Sequence, residues 1–133
     1  MPWNPVLAIG VPEIDKQHET LFQKAEQLFE AGKNGKSKEY VGELLNFLGD
    51  YTVTHFNDEE AYMAAIGYPD LQLQKQQHKD FIGKFVKLKQ DYEASKGNIL
   101  VILGANQLVI DWLMHHISVE DKKIGNFAKS IGK

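Results

Sequence analysis

Four stretches of this chain repeat apolar residues at helical spacing, and short breaks rich in glycine, proline, serine and asparagine separate them. The first runs from about Asp15 to Ala31, with Leu21, Phe22, Ala25, Leu28 and Phe29 three and four apart. Gly32 and Lys33-Asn34-Gly35-Lys36 end it. Ser37 then offers an N-cap to a second helix that reaches about Ile66. Its stripe is Val41, Leu44, Leu45, Leu48, Tyr51, Thr52, Tyr62, Met63 and Ile66. Gly67-Tyr68-Pro69-Asp70 breaks the pattern, with Asp70 as the expected cap of a third helix to about Ala94. That helix turns Leu71, Phe81, Phe85, Leu88 and Tyr92 inward. After Ser95-Lys96-Gly97-Asn98, a fourth begins near Ile99 and carries Ile102, Ala105, Val109, Trp112 and Leu113. Almost nothing alternates with the period of a strand. The pattern predicts an all-α, up-down-up-down antiparallel four-helix bundle, one domain over residues 1–133. Pro2, Pro5 and Pro12 mark the start as an extended arm across the bundle.

Composition narrows the chemistry. There is no cysteine, so disulfides, thiolate metal sites and thiol nucleophiles are excluded, and any metal must be held by nitrogen and oxygen. A net charge of −3 supplies no basic excess for nucleic acid. No apolar run approaches the ~20 residues of a membrane span, and the N-terminus lacks the layout of a signal peptide. These features point to a cytoplasmic protein with neither nucleic-acid nor membrane partners, and to a monomer.

The informative residues are those that interrupt the apolar stripes. His18 stands three before Leu21 and four before Phe22. His55 and Glu59 continue the line of Leu48 and Thr52. His78 shares a line with Leu71, Gln74, Phe81 and Phe85, and His116 follows Val109, Trp112 and Leu113. One inward histidine is ordinarily a hydrogen-bonded core residue. Four, one from each helix and at compatible heights, with an inward glutamate, would repel when charged and leave polar atoms orphaned when neutral. A metal removes both costs, because neutral imidazole and ionised carboxylate are the forms that ligate. Asp121 lies five residues after His116, about 140° away on a regular helix, so it reaches the same site only if the helix loosens or ends after His116. Otherwise it caps a short terminal helix that runs to about Lys129.

The pieces Ile14-Asp15-Lys16-Gln17-His18, His55-Phe56-Asn57-Asp58-Glu59-Glu60, Gly67-Tyr68-Pro69, His78 with Phe81, and Trp112-Leu113-Met114-His115-His116-Ile117 followed by Asp121 span the chain in order. Together they resemble the hemerythrins, of the single-domain bacterial kind. The resemblance implies a four-helix bundle holding two non-haem irons with an oxo or hydroxo bridge, which binds dioxygen reversibly. By position, it assigns His18 and His55 to the dioxygen-binding iron, His78 and His116 to the other, and Glu59 and Asp121 to bridges between them. It also implies a dry pocket of Leu21, Phe56, Trp112, Leu113 and Ile117 over the open iron.

One position departs from the family. Hemerythrins place a fifth histidine four residues before the one matched by His78, and here that residue is Gln74. Three readings stay open. Water or another small ligand fills the place and hydrogen-bonds to Gln74, or Gln74 ligates weakly through its carbonyl, or the second iron is labile. An extra open position predicts a poorer reversible carrier than relatives with the full set.

The remaining motifs are weaker. His115 points about 100° away from His116 and reads as a surface residue. Gly35-Lys36-Ser37 lacks the first glycine and the preceding strand of a phosphate-binding loop. No Glu-x-x-His pair of the ferritin kind exists. The expected function is therefore non-catalytic binding of dioxygen, or of a related diatomic or peroxide, for storage, delivery or sensing. The rival is a di-iron enzyme with peroxidase, oxidase or nitric oxide reductase activity.

Overall fold

The structure, a computed structural model, describes residues 3–95 and 98–132, apart from the side chains of Ile99, Ala105 and Asn106. The start of the arm at Met1-Pro2, the Lys96-Gly97 part of the third break and the inward placing of Ala105 therefore lie outside the described residues.

Helices form where the local signals put them. Helix α1 (Pro12–Lys33) starts three residues earlier than the apolar pattern suggests, because Pro12 fits the first turn, where its missing N–H would have no partner anyway. Helix α2 (Lys38–Ile66) is capped by Ser37, whose hydroxyl accepts from the Tyr40 N–H at 3.1 Å. It stops at Gly67, which takes the left-handed conformation (φ 70°) that ends many helices. Helix α3 (Leu71–Ala94) begins after Asp70, but the Asp70 side chain makes no capping bond, against expectation. Helix α4 (Ile99–His115) is capped by Asn98, which accepts from the Leu100 N–H. Short loops reverse the chain, so α1 packs on α2 and α4, and α3 packs on α2 and α4. No strand occurs among the described residues.

The last helix does not run straight. After His115 the helix widens into a π turn, His116–Asp121, and then resumes as α5 (Lys122–Ser130). The Lys122 N–H bonds to the Ile117 carbonyl, the i→i+5 closure of such a turn. The stretch Leu100–Ser130 is long and apolar enough, by length and composition, to match a membrane span, which corrects the expectation from sequence. It nevertheless packs as the fourth member of the bundle and carries polar side chains to the interior.

The N-terminal arm is built in. Asn4 caps a single 3-10 turn, Pro5–Leu7, and the chain then extends. The Ile9 and Gly10 N–H groups both donate to the Asp15 carboxylate, at 2.7 and 3.2 Å. Leu7, Ile9 and Val11 are buried, and the Ile9 carbonyl presses so closely on α5 that only a glycine, Gly125, fits beneath it.

Candidate metal centre

Three helices and the π turn each deliver polar side chains to one layer of the core. His18 (α1), His55 and Glu59 (α2), Gln74 and His78 (α3), His116 and Asp121 (π turn) are all buried. The π turn explains how residues five apart reach one place. It absorbs the extra residue that would rotate Asp121 away on an α-helix. Asp121 stands just before α5 but does not cap it through its side chain, so the capping alternative fails.

The two carboxylates divide the site into halves. Glu59 Oε2 lies 3.4 Å from His18 Nε2 and 3.5 Å from His55 Nε2, whereas Oε1 lies 3.1 Å from His78 Nε2. Asp121 Oδ2 lies 3.1 Å from His18 Nε2, whereas Oδ1 lies 3.2 Å from His116 Nε2. His18, His55 and Glu59 form one group whose donor atoms all fall within 4.8 Å of one another, and Glu59, His78 and His116 form another.

These atoms are near one another yet misaligned for hydrogen bonding. The Nε2 atoms of His18, His78 and His116, both Glu59 oxygens and Asp121 Oδ2 are buried without a hydrogen-bond partner. A folded protein rarely leaves one such atom buried, and a cluster of them is the signature of donors arranged for a cation. An all-nitrogen-and-oxygen set of imidazole and carboxylate suits iron.

The outer edges of the rings are tethered. His55 Nδ1 lies 2.6 Å from Gln17 Oε1, and Gln17 Nε2 in turn donates to Asp58 Oδ2 at 2.9 Å. His78 Nδ1 lies 2.8 Å from Glu60 Oε2. Both tethers are acceptors, so each ring carries its proton on Nδ1 and turns Nε2 inward. Gln17, Asp58 and Glu60 were not singled out as functional from sequence. The available signal was the run Asp58-Glu59-Glu60, in which the acids on either side of an inward glutamate face the flanking helices.

Without a metal the cluster is held by charge. Burial opposes the charged form of His18, but the close Asp121 and Glu59 carboxylates overcome it and raise its pKa to about 9. His55 is pushed down to about 4 by burial, which outweighs the attraction of Glu59. Burial works against the ionised forms of Asp121 and Glu59 as well. The neighbouring imidazoles of His116 and His18 hold Asp121 well below the carboxylate range, and those of His18 and His78 lower Glu59. For His78, burial is again outweighed, by Glu59 and Glu60, and its pKa is raised.

The expected pocket residues are placed unevenly. Leu21, Leu113 and Ile117 are buried. Phe56 and Trp112, expected over the His18/His55 half, stack on the other pair, although Phe56 also lies 5.7 Å from His55. Phe56 lies parallel to His78 with ring centres 3.8 Å apart, and Trp112 lies on His116 at 4.2 Å. Trp3 of the arm, absent from the expected set, sits 6.5 Å from His18 and 5.9 Å from Phe22. His115 is exposed, as its offset implied.

The family model for the hemerythrin HHE cation binding domain matches residues 9–128. The chain belongs to the hemerythrin family. It is 34% identical over 126 residues to a bacteriohemerythrin of Methylococcus capsulatus, covering 94% of each chain. It is 31% identical over 121 residues to myohemerythrin-1 of Phascolopsis gouldii, covering 91% of this chain and 88% of that one. A crystal structure of wild-type hemerythrin superposes with a TM-score of 0.84 at 30% identity, covering 95% of both chains. As a hemerythrin with buried groups of histidine and glutamate able to hold metal, the chain is a non-haem di-iron, oxygen-binding protein.

Proposed function

We propose that His18, His55, Glu59, His78, His116 and Asp121 hold the two irons, and that the chain binds dioxygen reversibly for storage, delivery or sensing and does not turn it over. The observation that carries this reading is the division of labour within each carboxylate. Opposite oxygens of Glu59, and of Asp121, face opposite histidine pairs, the arrangement two adjacent cations require. The irons, when bound, supply the two electrons that dioxygen accepts. The chain supplies everything else. Gln17 and Glu60 fix the rings of His55 and His78 so that Nε2 points inward. Leu21, Leu113 and Ile117 keep water and protons from the site, and Trp3 and Phe22 close the side beside His18.

Iron counting combined with the visible spectrum tests this. Two irons per chain and a colour that appears with air and fades under argon support it. Sustained consumption of peroxide or nitric oxide with a reductant would instead make the chain an enzyme. Absence of iron binding would defeat both readings.

A further inference from the structure

Position 74 is one turn before His78 on the inward face of α3, and Gln74 is fully buried there. Its Nε2 donates to Asp121 Oδ1 at 3.1 Å. This bond sets the amide's direction, because turning the group over would bring two acceptors, Oε1 and Oδ1, into contact. An amide nitrogen has no lone pair to offer a cation, so the end of Gln74 that reaches the carboxylate cannot replace an imidazole. The other end, Oε1, is buried and has no partner. An orphaned acceptor beside a metal position calls for a donor.

We infer that the half of the centre held by His78 and His116 has a second exchangeable ligand position, at the place of the missing fifth imidazole. It holds a protic oxygen ligand, water or hydroxide, that donates to Gln74 Oε1 and gives way to small anions. The inference rests on the di-iron reading above. Its consequence is near-symmetry. Each half has two imidazoles and one oxygen from each carboxylate, where the family pattern has one saturated iron and one open. Charge favours the same ligand class. His78 lines a groove of about 360 Å³ between α2 and α3 that carries Lys75 and Lys79 beside Glu60, two positive charges against one negative, so an anion approaching this half meets a small positive excess.

Sodium azide is the probe, titrated by calorimetry into the oxidised, iron-loaded chain after its iron has been counted. The expected result is two irons and two azide equivalents per chain. Gln74→His supplies the missing imidazole and should keep two irons while dropping to one azide. Gln74→Ala removes the acceptor but leaves the position open, so it should keep two equivalents, with the affinity of one changed several-fold. This second variant keeps the test decisive if Gln74→His does not fold. One azide per two irons in the unmodified chain, or two in a folded Gln74→His, overturns the inference. Fewer than two irons before azide is added overturns the di-iron reading itself, and the two failures are thus distinct.

Discussion

Gly125→Ala should destabilise the protein although alanine is the better helix former. A Cβ at position 125 would lie 1.8 Å from the Ile9 carbonyl oxygen and 2.8 Å from its carbon, where ordinary contact begins near 3.4 Å. The arm would have to retreat by about 1.6 Å, the difference between those distances. Ile9 and Gly10 are pinned by the Asp15 carboxylate, so retreat strains or breaks both bonds. Overpacking of this kind costs about 1–3 kcal/mol. Loosening the buried Leu7 and Ile9 adds part of the roughly 1.5–3 kcal/mol each contributes by burial. The gain in helix propensity returns about 1 kcal/mol. The net loss is about 2–4 kcal/mol, or roughly 10 °C in Tm for a domain of this size. Gly83→Ala is the internal control. It also lies within a helix, but nothing lies within 4 Å of the added carbon. It should stabilise by about 0.5–1 kcal/mol. Urea denaturation of the iron-free proteins, which avoids stabilisation by bound metal, reads both values. Shifts of the same sign and similar size in the two variants would refute the reasoning.

Three further outcomes follow from the site. The iron-free protein should be most stable near pH 6.5. The raised pKa of His18, about 9, gives stability that is complete below 6.5 and is lost as pH climbs through 9. The lowered pKa of His55, about 4, gives stability that is complete above 6.5 and is lost as pH falls through 4. Each arm amounts to roughly 3 kcal/mol, and a denaturation series with no loss between pH 7 and 10 would contradict the first. Glu60→Gln should weaken iron retention against a chelator by about 10–100-fold, because it removes the carboxylate behind His78. His115→Ala should leave iron content and stability within about 0.5 kcal/mol of the parent, since that side chain is exposed.

How much could be read from sequence depends on how local the cause is. Ser37, Gly67 and Asn98 mark helix ends through bonds to residues two to four away, and the boundaries follow directly. The inward histidines follow from helical period alone, because each apolar stripe fixes the rotation of its own helix. Asp121 does not, since nothing in Ile117-Ser118-Val119-Glu120 announces a π turn, and ligation chemistry favours it only once the other donors are in place. The tethers at Gln17 and Glu60 depend on how α1, α2 and α3 stand side by side, which period does not encode. The same applies to Phe56 and Trp112. Their inward-facing side was legible, but their stacking on His78 and His116 was set by the lateral register of the helices.

The π turn couples two parts of the molecule that share no contact requirement. Its extra residue sets the rotational phase of everything after it, which includes both Asp121 and the face of α5 with Ile124, Gly125 and Ala128 buried. Removing one residue, such as Ser118, would restore an unbroken α-helix and swing that whole segment by about 100°. The carboxylate would leave the metal layer, and the glycine seat of the arm would turn from Ile9 in the same motion. One inserted residue thus acts as a common clutch: it engages the ligand inside the bundle and the arm outside it together, so neither can be lost by slippage without the other.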